Sequence, residues 1–213
     1  MSENKQKSTL IKDAVILFVI TLIAALALGA VYEITKDPIA EAEAKAKTDA
    51  AKTVFAEMKK TEAVSDETLK NAQALIDQNK EFDTITVDEI LSALDENGKK
   101  LGDIITVTSK KGYGGQITVI MGIKDDETLN GIEFLSISET PGLGMKAKDD
   151  SEDKNDDFKD QFKGVKPGSY RLTKRNINMS GTTEIDAISS ATITTSAVTN
   201  IVNAGLLIAA SIN

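Results

Sequence analysis

One stretch divides this chain before anything else is read. From Ala14 to Tyr32 the sequence runs AVILFVITLIAALALGAVY without a charged residue. At about 1.5 Å per residue this run reaches roughly 28 Å, close to the ~30 Å hydrocarbon thickness of a bilayer. Val15, Ile16, Leu17, Phe18, Val19, Ile20, Leu22, Ile23, Leu26, Leu28 and Val31 carry the insertion. At about 0.3–0.6 kcal/mol each they supply about 3–7 kcal/mol, an upper bound because the scale refers to mid-helix. The run has no polar face, which argues against an ordinary core helix. A cleaved signal peptide competes: Ala25-Leu26-Ala27 or Leu28-Gly29-Ala30 has the small-x-small form, but the run outlasts the usual ~7–15-residue apolar region. The expectation is a retained anchor. Lys5, Lys7 and Lys12 precede it, and Glu33, Lys36 and Asp37 follow. By the positive-inside rule, residues 1–13 form a cytoplasmic tail, 14–32 a single transmembrane helix, and 33–213 a domain on the outer face of the cell membrane.

What that domain can do is narrowed by what it lacks. The chain has no cysteine, histidine or tryptophan. Thiolate nucleophiles, Ser-His-Asp triads, Cys/His zinc sites, Cys-bound iron–sulfur clusters and disulfides are all excluded. Carboxylate, hydroxyl, amine and backbone chemistry remain. Asp and Glu number 33 against 25 Lys and Arg, a net charge of −8. No cationic field is offered to nucleic acid.

Along the external chain, Asp37-Pro38 reads as a helix start, with Asp as N-cap and Pro at the first helical position. That helix is expected to run to about Lys60, with Ala51, Val54, Phe55 and Met58 on one face. A second is expected over Ser65–Gln78, burying Leu69, Ala72, Leu75 and Ile76. Strands follow at Ile90–Leu94, Leu101–Ser109, Gln116–Lys124 and Ile132–Ser138. Between them lie the Asn97-Gly98 turn signal, a glycine-rich break at Gly112-Tyr113-Gly114-Gly115, and a turn in Asp125–Gly131. Short strands joined by tight turns make an antiparallel meander. The expected class is α+β: an antiparallel sheet with flanking helices and a helical lead-in over about 37–78. In the charged stretch Lys148–Lys163, Phe158 and Phe162 are read as packing inward beneath a solvated face. Calcium ligation by Asp149, Asp150, Asp153, Asp156 and Asp157 is the weaker reading, because the twelve-residue loop pattern is absent.

The last segment holds six hydroxyl residues between Ser189 and Ser196. The plain reading is a helix capped by Ser189 or Ser190, with Ile193, Ala197, Val198, Ile201, Val202 and Gly205 on its buried face. Six hydroxyls exceed what one cap needs. A helix N-terminus favours a phosphate, and a threonine hydroxyl there could be esterified to one.

Asp186-Ala187-Ile188-Ser189-Ser190-Ala191-Thr192 resembles the flavinylation motif of the FMN-binding domain family, Asp-x-x-Ser/Thr-Gly-Ala-Thr. Glu139-Thr140-Pro141-Gly142-Leu143-Gly144 resembles that family's second hallmark, and Gly112–Gly115 fits the glycine-rich turn before it. Behind a single N-terminal span, the pattern is most similar to the G subunits of Rnf-type electron-transport complexes. The related C subunits of sodium-pumping NADH:quinone reductases are generally longer.

The resemblance implies FMN bound covalently by a phosphoester to Thr192, installed from FAD by a separate flavin transferase. By the same resemblance Glu139, Thr140, Gly142 and Leu143 lie against the flavin, and Ser189, Ser190, Ala191, Ile193 and Thr194 surround the attachment point. Thr194 and Thr195 are secondary candidates for attachment. Ser190 departs from the family's usual glycine, implying a slightly different turn or an added hydrogen bond. Thr140-Pro141-Gly142 suits a type II turn. Lys146, Lys174 and Arg175 could meet a phosphate or reduced flavin, or simply face solvent.

The implied function is an electron carrier among other membrane subunits, in a complex coupling ferredoxin/NAD electron transfer to Na⁺ or H⁺ export. With no ionisable residue in 14–32, this span is a poor ion path. Alternatives are the quinone-reductase subunit, a stand-alone extracellular flavoprotein, and an anchored structural domain whose Ser/Thr run is only a cap.

Overall fold

The computed structural model describes residues 2–149, 158–166, 171–173 and 184–212, with the side chains of 2–10, 171–173 and 184 left aside. The chain divides into two units, 1–46 and 47–213.

The first unit is helical throughout. It belongs to α1 (Ser2–Val54), which continues into the second unit. Residues 11–34 are exposed, so the apolar run meets no protein surface. Two expectations change here. Pro38 lies inside α1 and does not open a new helix. The helix also stops at Val54, not near Lys60. An internal proline forfeits one backbone hydrogen bond, at about 3 kcal/mol. On both sides of it the sequence is rich in strong helix formers, including AEAEAKAK, so propagation carries through the defect.

The second unit is built on five strands: β1 (Lys60–Ala63), β2 (Ile85–Leu94), β3 (Lys100–Ser109), β4 (Ile117–Lys124) and β5 (Leu129–Ser136). They form one sheet in the order β1-β2-β3-β4-β5, every pair antiparallel. The expected meander is present, with β1 added on its edge. The β2–β3 turn hinges on Gly98 at φ 78°, while Asn97 does not take a positive φ. The Asp95 carboxylate caps it, accepting the N–H groups of Asn97 at 2.8 Å and Lys99 at 2.9 Å. Helix α2 (Asp66–Asp77) starts where expected, its Ser65 N-cap accepting the Thr68 N–H at 3.1 Å. Ala72 and Ile76 are buried, and Leu69 packs against the core from a partly covered position.

The sheet has two apolar faces. On one, the end of α1 and the following loop place Ala50, Ala51, Val54, Phe55 and Met58 against Ala93, Ile104 and Ile120. On the other lies α3 (Thr192–Ile212), packed with α2 over β2, β3 and β4. Ala197, Val198, Ile201, Val202, Ala204, Leu206, Ile208 and Ala209 are all buried. Each large aliphatic among them is worth roughly 1.5–3 kcal/mol on burial. That packing overrides the low helix propensity of the β-branched run Thr192–Thr199. The buried Thr195 and Thr199 hydroxyls bond carbonyls four residues back, at 2.8 and 2.9 Å. Ile193, expected on the buried face, is instead 54% exposed: it sits in the first turn, beyond the edge of the sheet core. Phe158 and Phe162 are buried edge-to-face, their ring centroids 5.3 Å apart, on a short 3-10 helix. A separate parallel pair joins β6 (Arg171–Thr173) to β7 (Glu184–Asp186), which leads into α3.

Candidate functional site

β7 delivers the chain to a tight turn at Ser189-Ser190, and α3 begins two residues later at Thr192. The Ala191 carbonyl accepts the first helical hydrogen bond, from the Thr195 N–H at 3.0 Å. Ala191 therefore holds the capping position, and the expected Ser189 or Ser190 cap is not formed. Thr195 closes the turn instead. Its hydroxyl donates to the Ala191 carbonyl and accepts the Ile188 N–H at 3.2 Å. With no side-chain cap, the N–H groups of Thr192, Ile193 and Thr194 have no partner among the described residues. Free N–H groups at a positive dipole end suit an anionic group such as a phosphate.

Burial sorts the hydroxyls. Thr194 and Thr195 are 1% and 0% exposed, while Ser189, Ser190 and Thr192 face solvent. Of the three threonines in the first turn, only Thr192 offers its hydroxyl to a group arriving from outside. Ser190 takes φ 62°, a left-handed conformation that glycine adopts without steric cost. Its hydroxyl makes no hydrogen bond among the described residues. Of the two alternatives that Ser190 left open, a slightly different turn or an added hydrogen bond, the hydrogen bond is not formed among the described residues; the residue holds a left-handed backbone conformation.

Beside this turn stands the loop after β5. Thr140-Pro141-Gly142-Leu143 closes with the Leu143 N–H on the Thr140 carbonyl at 3.1 Å and Gly142 at φ 74°, as a type II turn requires. Glu139 precedes it, with only 7% of its surface exposed. Its Oε1 accepts the Tyr113 N–H at 2.8 Å, which joins the glycine-rich β3–β4 turn to this loop. Gly144 joins the loop to α3. A methyl group on its Cα would stand 2.6 Å from Thr194 Oγ1 and 2.8 Å from Glu139 Oε2, so no larger residue fits. Three segments far apart in sequence thus meet around Glu139 and Gly144.

Each of these segments also exposes one large apolar side chain. Tyr113, Ile193 and Leu143 are 73%, 54% and 41% exposed. Only one other large apolar side chain described in residues 47–212 is comparably open, Leu207 toward the far end of α3. Thr140, Pro141 and Gly142 are exposed beside them. An exposed hydroxyl, free helix N–H groups and an apolar rim of one side chain from each segment together suit a phosphate joined to a planar ring. Lys146 lies on the short 3-10 helix Gly144–Ala147 that follows the loop, whereas Lys174 and Arg175 lie outside the described residues. So do Asp150, Asp153, Asp156 and Asp157. Among the described residues no three acidic side chains gather as a metal site. A groove of about 490 Å³ between α2 and the end of α3, lined by Thr68, Asn71, Leu75 and Ser211, is remote from Thr192. Sequence reasoning missed Thr195 as the turn's fastening and Tyr113 as part of the rim; an aromatic between glycines was the one available signal.

A family model described as FMN-binding domain matches residues 112–207, taking in all three converging segments, and a model of the RnfG N-terminal region matches 1–54. The class is thus an FMN-binding-domain protein with a long N-terminal helix. The chain is 30% identical over 210 residues to the G subunit of the Na(+)-translocating ferredoxin:NAD(+) oxidoreductase complex of Acetobacterium woodii, covering 94% of each protein. It is 25% identical over 199 residues to the G subunit of the proton-translocating ferredoxin:NAD(+) oxidoreductase complex of Clostridium ljungdahlii, covering 93% of this chain and 91% of that one. The chain belongs to the family of G subunits of Rnf-type ion-translocating oxidoreductase complexes, electron-transport proteins with an FMN-binding domain. Among solved structures, the crystal structure of Shewanella oneidensis NqrC resembles it at 22% identity with a TM-score of 0.44, over 54% of this chain and 53% of that one.

Proposed function

We propose that this chain is a membrane-anchored electron carrier whose FMN is joined by a phosphoester to Thr192, and that it serves in an ion-translocating ferredoxin:NAD oxidoreductase complex. The observation that carries the attachment is the exposure of Thr192 at an uncapped helix start, with Thr194 and Thr195 buried beside it. The N–H groups of Thr192, Ile193 and Thr194 would hold the phosphate charge, and the exposed Lys146, on the 3-10 helix after the loop, would help to balance it. Tyr113, Leu143 and Ile193 would offer apolar surface to the ring, and Glu139 and Gly144 fix the loop that carries Leu143. Bound FMN supplies the redox chemistry that a chain without cysteine or histidine lacks. Attachment is a transfer from FAD by a flavin transferase. The Thr192 Oγ1–P bond forms as the FAD pyrophosphate bond breaks, releasing AMP and the hydroxyl proton.

The bare apolar run of α1 anchors the chain by a single pass. Its basic N-terminal flank keeps residues 1–13 in the cytoplasm and the FMN domain outside. The other membrane subunits supply and remove electrons and carry the ion, Na⁺ or H⁺. The test is the intact mass of the full-length protein co-produced with a flavin transferase. Wild type should gain the mass of one esterified FMN, and Thr192→Ala should gain none. An adduct that survives Thr192→Ala sinks the site. An unmodified wild type, with the transferase active on a control substrate, sinks the covalent reading altogether.

A further inference from the structure

Two carboxylates are buried among the described residues, and they are balanced differently. Asp103, 1% exposed, has the Lys100 ammonium 2.8 Å away and the Ser92 hydroxyl at 3.2 Å. Glu139, 7% exposed, accepts one hydrogen bond, from the Tyr113 N–H, and forms no ion pair with any Lys or Arg among the described residues. Its second oxygen faces Gly144, which packs on Thr194 in the first turn of α3. One amide dipole does not cancel a full charge, and a charge removed from water acts over a longer range than a solvated one. Across Gly144 this carboxylate faces Thr194, in the helix turn that Thr192 opens.

We propose that Glu139 is a positioning residue that also sets the redox potential of the site. Its side chain pins the Gly112–Gly115 turn to the Thr140–Gly144 loop. Its unbalanced negative charge makes electron uptake by a group on Thr192 harder than in a neutral site, and so lowers the midpoint potential. The inference rests on the Thr192 reading. It accounts for an acid at a position where packing alone would be served by glutamine, which keeps the same acceptor for Tyr113.

The test is a spectroelectrochemical titration of full-length, flavinylated protein in detergent, for wild type, Glu139→Gln and Glu139→Asp. Intact mass first verifies the adduct in each. Glu139→Gln should keep the wild-type melt and raise the potential, increasing the equilibrium constant for reduction on the order of tenfold. Glu139→Asp, which keeps the charge, should stay near wild type. A folded, flavinylated Glu139→Gln with the wild-type potential overturns the proposal, as does an equal shift in both variants. Should Glu139→Gln not fold, Leu143→Lys brings an opposing charge to the same rim and must move the potential upward; a stationary value overturns the proposal. Absence of any adduct on wild type removes the Thr192 reading and this inference together.

Discussion

Two helices among the described residues are long and apolar enough to cross a membrane, and they are used in opposite ways. The apolar window of α1 has none of its residues buried, whereas 67% of that of α3 is. Each has a glycine in its apolar stretch. Around Gly29 a methyl group would meet nothing within 4 Å, while at Gly205 it would stand 2.0 Å from the Met121 sulfur. Apolar composition therefore states a need for a non-aqueous environment without saying which one. For α3 the environment is a sheet whose apolar face matches it row by row. The apolar run of α1 is exposed over residues 11–34, and its length and composition fit a membrane span.

A charge placed in each helix gives the widest separation. Ile201→Arg puts an unpaired guanidinium at a position with 0% exposure, and should cost more than about 4 kcal/mol. That approaches the whole stability of a domain, so circular dichroism should show no cooperative melt. Ile20→Arg should leave the melt of the domain unchanged and weaken membrane retention by about 3–4 kcal/mol, read by alkaline carbonate extraction. A cooperative wild-type-like melt for Ile201→Arg would falsify the assignment of α3 to the core.

The two glycines sharpen the same contrast. Gly205→Val forces an isopropyl group into the space of Met121, itself fully buried, and should lower stability by about 2–3 kcal/mol. Met121→Ala should recover part of that loss in the double variant, because the two side chains share one space. Gly29→Val should leave the denaturation midpoint of the domain where it is. Equal destabilisation by the two valines would mean that the apolar run of α1 is packed against protein after all.

Much of this contrast is legible in the sequence, because it is written in local periodicity. The meander strands announce themselves through β-branched runs between glycine-bearing turns, and α2 through Ser65 followed by apolar residues at helical spacing. The type II turn at Pro141-Gly142 needs only those two residues. β1 is not legible, because Lys60-Thr61-Glu62-Ala63 is exposed along its whole length and joins the sheet by backbone pairing to β2 alone. The continuity of α1 through Pro38 escapes a local reading because a single proline outweighs its neighbours only in a short helix. At the site, the two motifs identify the segments but not their contacts. That Glu139 is buried, and that its partner is the amide of Tyr113, depends on a register between β3, β4 and the loop after β5 that no local pattern records. The packing of Gly144 on Thr194 likewise escapes any local pattern.

The smallest expected effect concerns the turn that precedes α3, the one feature that distinguishes its exposed start from its buried body. Ser190 is held at φ 62°, which costs an ordinary L-residue about 1–2 kcal/mol relative to glycine. Glycine gives back part of that gain by widening the unfolded ensemble, by about 0.4–1 kcal/mol. The balance favours glycine, so Ser190→Gly should stabilise the domain by about 0.5–1 kcal/mol and raise its melting temperature by about 1–4 °C. Since Ser190 is exposed and its hydroxyl has no hydrogen-bond partner among the described residues, nothing is lost with the side chain. Modification of Thr192 should persist in the variant, since glycine takes the same backbone angle. A lower melting temperature would show that the serine hydroxyl holds the turn in a way its geometry does not reveal, and would place Ser190 among the residues that shape the start of α3.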